Sequence, residues 1–238
     1  MLAEAKVPLR KWLLSIYFFH TARKGVSSVQ LAKEIGVTQK TAWFLAHRIR
    51  AAMEHRSGLL VGEVEVDETY IGGKEKNRHA SKREHLGRGI AGKQPVLGLR
   101  ERGGSVRAVP IDKADRITLQ SAIMENVEHG SAVYTDGHPA YEGLPGYQHE
   151  IVAHSVGEYV RGMAHTNGIE SFWALLKRGY IGVYHWMSMK HLHRYVNEFA
   201  YRQSVGQGND LFTLGQTLDG MVGRRLTYRE LTAEEALL

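Results

Sequence analysis

The chain has 238 residues, 43% of them hydrophobic, no cysteine, and a formal net charge of +6. This composition is typical of a globular protein with a sizeable core, and it excludes disulfide frameworks, iron–sulfur clusters and thiolate zinc sites. No apolar run approaches the ~20 residues needed to span a bilayer, so we expect neither a signal peptide nor a membrane segment. We therefore expect a cytoplasmic protein.

The positive charge is confined to the start of the chain. Residues 1–57 carry 10 Lys and Arg against 3 Asp and Glu, whereas residues 58–238 carry 21 against 22. A basic module in front of a neutral one is typical of a nucleic-acid anchor attached to a domain that acts on the anchored molecule. A solvated basic surface without a partner is the alternative.

The basic module has the pattern of a helix-turn-helix. An amphipathic helix is predicted over 9–20, and residues 28–50 follow with two apolar faces separated by Gly36, which permits a tight turn. Thr38 is the predicted N-cap of the second helix. An ordinary helical hairpin is the alternative, and the local positive charge argues against it.

The second helix of such a motif lies in the major groove of DNA. We predict base contacts from its first turns and phosphate contacts from its basic residues. The predicted DNA-binding residues of this module are Gln39, Lys40, Thr41, His47, Arg48 and Arg50, with Trp43 and Phe44 as further candidates for base contact.

From about Gly58 the hydrophobic period changes from helical to alternating. Strands are predicted at 63–67, 96–100, 105–109, 132–136 and near 150–154, and helices at 114–127, 168–178 and 188–202. This order predicts an α/β domain with a mixed sheet. The basic segment 74–89 has little to bury, and we expect a mobile loop that closes on a DNA backbone. A solvated connection is nearly as good an interpretation.

Three acids have the spacing of a metal site. Asp67 and Asp136 end apolar strands, where side chains of α/β sheets meet solvent, and Glu170 opens an amphipathic helix. Hard divalent cations prefer carboxylate oxygens, and two such ions suit in-line phosphoryl displacement. Lys177 lies seven residues after Glu170, on the same helical face. Strand-end acids that only cap turns are the alternative.

Glu170 also has a purely structural interpretation. Asn167 and Glu170 have the spacing of a capping box, in which Asn167 would be the N-cap. Glu63, Glu65 and Glu68 flank Asp67, and such acids more often pair with nearby Arg or Lys than bind a metal.

Four segments carry a family resemblance: VEVDETYIGGK at 64–74, YTDGH at 134–138, HTNGIESFWALLKRG at 165–179 and YVNEFAYR at 195–202. In this order they resemble bacterial insertion-sequence transposases of the ISXO-like group, over nearly the whole chain. The resemblance implies an RNase H-like α/β fold, a mixed sheet flanked by helices, preceded by the small all-α helix-turn-helix domain. It also implies a triad of the DDE type, dependence on Mg²⁺ or Mn²⁺, and cleavage and strand transfer at the ends of an insertion sequence.

Carried over by position, Asp67 and Asp136 are the first two acids and Glu170 the third, with Lys177 following it. Some relatives have Asn in the third position, so Asn167 is the alternative ligand. Lys177 and Arg178 are further predicted DNA contacts. We expect two metal ions, double-stranded DNA as partner and substrate, a homo-oligomer on DNA, and association with the bacterial nucleoid.

The chain departs from the group in one respect. Members commonly carry a cysteine-rich zinc ribbon ahead of the helix-turn-helix, and this chain has no cysteine. We therefore expect an N-terminally shortened chain whose recognition of transposon ends is in doubt.

The predicted organisation is a helix-turn-helix DNA-binding domain at 1–57, an RNase H-like catalytic domain at 58–205 that includes the basic loop 74–89, and a C-terminal extension at 206–238. A transposase is the first interpretation of its function. A catalytically silent DNA-binding protein acting as a regulator is the alternative, and a structure-selective nuclease without joining activity is the third. The DNA end sequence, the target preference and the transposition pathway stay open.

Overall fold

The computed structural model describes residues 1, 6–54, 58–73, 79, 90, 92–152, 165–205 and 210–233. The chain forms two compact units. The helical unit comprises Met1–Arg56 and Arg178–Leu238, and the sheet unit comprises Ser57–Lys177. The predicted basic loop 74–89 lies outside the described residues except at His79.

The described residues of the helical unit include six complete α-helices, three from each end of the chain. They are α1 (Leu9–Thr21), α2 (Ser28–Ile35), α3 (Gln39–Ala52), α6 (Met189–Ser204), α7 (Asp210–Asp219) and α8 (Tyr228–Thr232). Between α2 and α3, Gly36 adopts a left-handed conformation (φ 62°) that favours glycine. The Thr38 side chain accepts a hydrogen bond from the backbone N–H of Thr41, as expected of an N-cap. The predicted helices and the turn between them are thus present.

The core of the helical unit draws on both ends of the chain. Trp12, Phe19 and Ile49 from the first three helices are buried in one cluster with Met221, which follows α7. Leu226 and Leu231 form a smaller cluster with Ala51 of α3. The predicted boundary at 205 therefore differs from the structure, where everything from Arg178 onward belongs with the N-terminal helices. A short amphipathic N-terminal module exposes apolar surface that the C-terminal helices cover.

The sheet unit contains five strands and two helices among its described residues. The strands are β1 (Glu63–Ile71), β2 (Gln94–Glu101), β3 (Val106–Pro110), β4 (Ala132–Thr135) and β5 (Gln148–Ile151); the helices are α4 (Arg116–Asn126) and α5 (Asn167–Gly179), whose last two residues belong to the helical unit. The strand order is β3-β2-β1-β4-β5. The first three strands pair antiparallel, and β4 and β5 run parallel to β1.

This mixed sheet flanked by helices is an RNase H-like fold, as expected. On one face, Val64 and Val66 of β1 and Val133 of β4 form a core with Leu119 and Ile123 of α4. The other face of β1 carries Glu65 and Asp67, because side chains alternate along a strand. That second face is covered by α5. In the described part of the chain, no helix is long and apolar enough to cross a membrane.

Candidate active site

Asp67 of β1 and Asp136, the residue that follows the parallel strand β4, lie close together. The register of β1 and β4 pairs Glu65 with Tyr134, and two further residues along each strand bring the chain to Asp67 and Asp136. Directly opposite residues of adjacent strands have side chains on the same face. The predicted first two acids of the triad are therefore brought together at the carboxyl end of β4.

The electrostatics agree with this proximity. Burial, together with the negative charges of Glu68 and Asp136, raises the pKa of Asp67 to about 7. The backbone N–H of Glu68 donates a hydrogen bond of 2.9 Å to the Asp67 carboxylate, which opposes the rise only in part. Crowded carboxylates of this kind repel one another, and a divalent cation would relieve the repulsion.

A hydroxyl group lies close to the same carboxylates. The Tyr141 hydroxyl donates a 2.5 Å hydrogen bond to Glu68. Burial and the charge of Glu68 raise the pKa of Tyr141, with smaller contributions from Asp67 and Asp136. Tyr141 belongs to a short 3₁₀ turn, Pro139–Tyr141, just after Asp136. Tyr141 thus holds the side chain of Glu68, which lies on the face of β1 opposite to that of Asp67.

Asp136 itself is part of a turn. Its carboxylate accepts a 3.1 Å hydrogen bond from the backbone N–H of His138. Strand-end aspartates often cap turns in this way. The turn-capping role that we gave as the alternative to a metal site is therefore present at Asp136. One capping bond leaves further lone pairs on the carboxylate for other partners.

Helix α5 covers Asp67 because β2 provides a glycine opposite it. Asp67 pairs with Gly98 in the β1–β2 register. A methyl group on Gly98 would lie 2.8 Å from Ile169 Cδ1 and closer still to the Trp173 ring. The Trp173 indole N–H lowers the pKa of Asp67, although the two groups fall short of hydrogen-bond geometry. Gly98 therefore makes room for Trp173 above the acid.

Glu65 anchors the start of α5. Its carboxylate is 2% exposed and accepts a 2.8 Å hydrogen bond from the backbone N–H of Ile169. Arg102 donates to the same carboxylate at 3.3 Å, and His165 Nδ1 lies 3.2 Å from it. A carboxylate at a helix N-terminus stabilises the helix. The pairing of flanking acids with arginine, expected from sequence, is found here and at Glu63, which Arg102 contacts at 2.8 Å.

The predicted third acid is exposed rather than grouped with the first two. Glu170 lies in the first turn of α5, and its carboxylate accepts a 3.2 Å hydrogen bond from the Thr166 hydroxyl. The helix begins at Asn167, so Asn167 is its first helical residue and not the N-cap of the predicted capping box. Across the described ranges, no three His, Asp or Glu side chains are spaced to hold a metal ion.

The remaining predicted residues on α5 are exposed. Asn167, Lys177 and Arg178 all reach solvent. The amphipathic character predicted for this helix is confirmed, because Ile169, Phe172, Trp173 and Leu176 are at most 3% exposed.

Two predicted phosphate contacts in α3 are corrected by the structure. His47 is 0% and Arg50 2% exposed, so neither side chain reaches a phosphate in this conformation. Arg50 donates a 2.7 Å hydrogen bond to Glu198 of α6, and His47 packs against Trp43 with ring centroids 4.5 Å apart. Both side chains lie in the contact between α3 and α6. The predicted domain boundaries had placed these two helices in different domains.

Other predicted DNA contacts lie at the surface of α3. Gln39 and Lys40 are exposed and Thr41 is half-buried. Lys40 Nζ lies 4.7 Å from the ring centre of Tyr228 in α8. Arg48 is half-buried and stacks over Trp12, 5.1 Å from its ring centre.

Sequence reasoning did not select Tyr141, Trp173 or Gly98 for the site. Gly98 in the middle of an apolar strand was a usable signal, because glycine inside a strand often marks a close approach. Tyr141 offered no such signal, since its partner Glu68 is 73 positions away.

The strand order and the helices that flank the sheet place the fold in the RNase H-like class. It matches the ISXO2-like transposase domain over residues 59–204. It is also 32% identical to a protein of Halobacterium salinarum described as an uncharacterized protein in transposable element ISH50, over 214 residues that cover 85% of this chain and 72% of that one. The chain belongs to the ISXO2-like transposase family.

Comparisons with solved structures give weaker similarities. The chain has 15% identity and a TM-score of 0.37 to a chain of the simian T-cell lymphotropic virus intasome with PP2A regulatory subunit B56 gamma, over 78% of this chain and 65% of that one, just under two thirds. The Mos1 strand transfer complex gives 11% identity and a TM-score of 0.33, over 93% of this chain and 78% of that one.

Proposed function

We propose that the chain is a metal-dependent transposase that cleaves DNA at the ends of an insertion sequence and transfers the freed strand to target DNA. The observation that carries the proposal is the proximity of Asp67 on β1 and Asp136, the residue just after the parallel strand β4, with a pKa of about 7 at Asp67. Membership of a transposase family supports it.

The donor set at this edge suits a hard divalent cation such as Mg²⁺ or Mn²⁺. Two carboxylates in one partly buried place supply the oxygen ligands that these ions prefer. When bound, such ions would polarise the scissile phosphate and activate the attacking oxygen. We propose that Asp67 and Asp136 share one ion and that Glu170 or Asn167 completes the site of a second.

The residues around the acids have supporting roles in this proposal. Trp173 limits the access of water to Asp67, and Glu65 fixes the first turn of α5, which carries Glu170. Lys177 and Arg178, exposed at the other end of the helix, would contact the phosphate backbone of the DNA. No covalent protein intermediate is required, because water and then a 3′-hydroxyl serve as nucleophiles.

We further propose that the helical unit holds double-stranded DNA through α3. Gln39 and Lys40 are exposed in its first turn, which is the part of a recognition helix that reaches base edges. Joining two DNA ends requires two active sites, so we propose a homo-oligomer on DNA.

The test is cleavage and joining of a labelled duplex that carries the element's end, with Mg²⁺ or Mn²⁺. Asp136→Asn keeps the acceptor for the His138 amide but removes the charge. We expect it to abolish cleavage while DNA binding persists. Asp112→Asn, an exposed acid of the same unit, is the matched control and should cleave normally. Cleavage that survives in Asp136→Asn would refute the assigned mechanism.

The second candidate function is a catalytically silent DNA-binding regulator. It is favoured by one observation, the exposed Glu170 that is not grouped with the other two acids. Wild-type protein that binds the duplex and cuts it with neither ion would establish this alternative.

A further inference from the structure

The helical unit contains an open cavity of about 790 Å³. It lies between the start of α2, the middle of α3, the end of α8 and the segment that leads into α6. Its volume is in the range of about 300–1,000 Å³ that small-molecule sites occupy. Its lining combines aromatic rings with cationic and hydroxyl groups, among them Trp43, Tyr184, Trp186, Lys190, His191 and Tyr195.

One aromatic ring at this cavity is held out in solvent. Trp186 is 66% exposed, which leaves most of a large apolar surface in water. By contrast, Trp43 packs edge-on against His191, with ring centroids 5.7 Å apart, and Tyr184 packs against Tyr195 at 5.0 Å. The cavity thus has packed aromatic walls and one largely exposed ring, that of Trp186.

The backbone that presents Trp186 is unusual. Helix α5 continues as a π-helical turn, Tyr180–Tyr184, and His185 then adopts a positive φ of 58°. The N–H of Trp186 donates a 2.6 Å hydrogen bond to the Tyr184 carbonyl, which closes a tight turn. A positive φ is strained for a residue other than glycine, and such strain and π-helical turns concentrate at functional sites. The strain here fixes the direction of one exposed indole.

The opposite side of the cavity favours an anion. Two helices, α2 with Ser28 and α6 with Ser188 and Lys190, present their N-terminal turns to it. Helix N-termini carry partial positive charge and free N–H groups that bind phosphate. The Ser188 side chain makes no capping hydrogen bond, so its hydroxyl is not committed to the helix. Lys190 Nζ donates to the Ala233 carbonyl and keeps its charge near the cavity.

A buried polar side chain also faces this space. His191 is 8% exposed and contacts the rings of Trp43 and His47. Its ring nitrogens make no hydrogen bond within the described part of the chain. Burial lowers the pKa of His191 to about 4, so the ring is neutral near pH 7. A neutral imidazole offers one donor and one acceptor, which suits the edge of a nucleobase.

We propose that this cavity binds one unstacked nucleotide of DNA, with its base on the Trp186 ring and its phosphate at the N-termini of α2 and α6. A nucleotide combines a flat aromatic surface with an anion, and the cavity offers a partner for each. Bases stack on aromatic side chains with little dependence on sequence. The inference rests on the proposed action on DNA. It adds a site outside the sheet unit that accepts a base flipped out of the DNA double helix.

The experiment compares two duplexes, one fully paired and one with a single extrahelical 2-aminopurine nucleotide. The full chain is titrated with each, and both affinity and 2-aminopurine fluorescence are measured. We expect tighter binding of the extrahelical duplex and quenching of the probe by stacking. Trp186→Ala should abolish quenching and weaken this binding about tenfold or more, with no change for the paired duplex. Trp186→Phe, which retains a ring, should preserve most of the preference.

The matched control is Ile181→Ala, which removes an equally exposed apolar side chain (69%) from the π-helical turn and should change neither measurement. Equal affinity of wild type for both duplexes, or quenching that persists in Trp186→Ala, overturns the nucleotide site. In that case cleavage that depends on Asp136 would still support the proposed transposase. Failure of the wild type to bind either duplex overturns both proposals.

Discussion

Replacing Asp67 by asparagine is expected to remove DNA cleavage and, at the same time, to stabilise the metal-free protein. The ionised carboxylate of Asp67 is unfavourable in the folded state, because it is partly buried beside Glu68 and Asp136 and its pKa is raised to about 7. In the unfolded chain an aspartate has a pKa of about 3.9. The folded protein therefore binds a proton more tightly than the unfolded chain, and metal-free stability falls as pH rises from about 4 to 7.

The size of this effect follows from the pKa difference. Each pKa unit corresponds to about 1.36 kcal/mol, so above pH 7 the ionised carboxylate costs the folded state about 4 kcal/mol. The amide side chain introduced by Asp67→Asn is uncharged at every pH, so the variant should recover a substantial part of that cost at pH 8 and little of it at pH 4. Active-site residues often trade stability for activity in this way.

The assay is urea unfolding of wild type, Asp67→Asn and Asp112→Asn in EDTA at pH 4 and pH 8, followed by titration with Mg²⁺. The exposed Asp112 serves as the control, and its variant should behave as wild type. Mg²⁺ should stabilise wild type at pH 8 and have a much smaller effect on Asp67→Asn. An Asp67→Asn variant that is less stable than wild type at pH 8 would refute the electrostatic reasoning.

Three further predictions concern packing and protonation. Gly98→Ala should displace Trp173 and destabilise the sheet unit by about 1–3 kcal/mol in urea unfolding, whereas Gly73→Ala, with open space around it, should be neutral; equal stabilities would contradict the assigned contact. Glu198→Gln removes a fully buried carboxylate from two arginines, and loss of such a partner costs about 3–5 kcal/mol, measurable as a lower denaturation midpoint of the helical unit. The depressed pKa of His191, about 4, means that its contribution to stability is complete above pH 6.5 and is lost as pH falls towards 4. The thermal unfolding midpoint of His191→Gln should accordingly depend less on pH between 6.5 and 4 than that of wild type. A pH profile identical to that of wild type would argue against the depressed pKa of His191.

Local pattern accounts for most of the fold that sequence reasoning predicted. Alternation of Val64 and Val66 with acids predicted β1, and the structure only extends it to Ile71, where β2 continues to pair with it. Asp115 caps α4 through the Thr118 amide, so this helix starts two residues later than expected. These features depend on neighbours in sequence, which is why the pattern was sufficient.

Contacts between distant segments were beyond the reach of the sequence pattern. Arg50 and Glu198 are 148 positions apart, and a charged residue near a helix end is more often exposed than buried. The prediction for Arg50 followed that tendency and was wrong. The site shows the same division, because the two strand-end acids were predicted from local pattern, whereas the position of Glu170 depends on the packing of α5.

The composition of the helical unit has a consequence during synthesis on the ribosome. Domains generally fold as units as the chain emerges, and the segment 57–177 is complete long before the last helices are made. The N-terminal helices precede it, and Met221, which completes their buried cluster, emerges only after it. The sheet unit can therefore fold before the core of the helical unit is complete, although the N-terminal helices come first in the sequence.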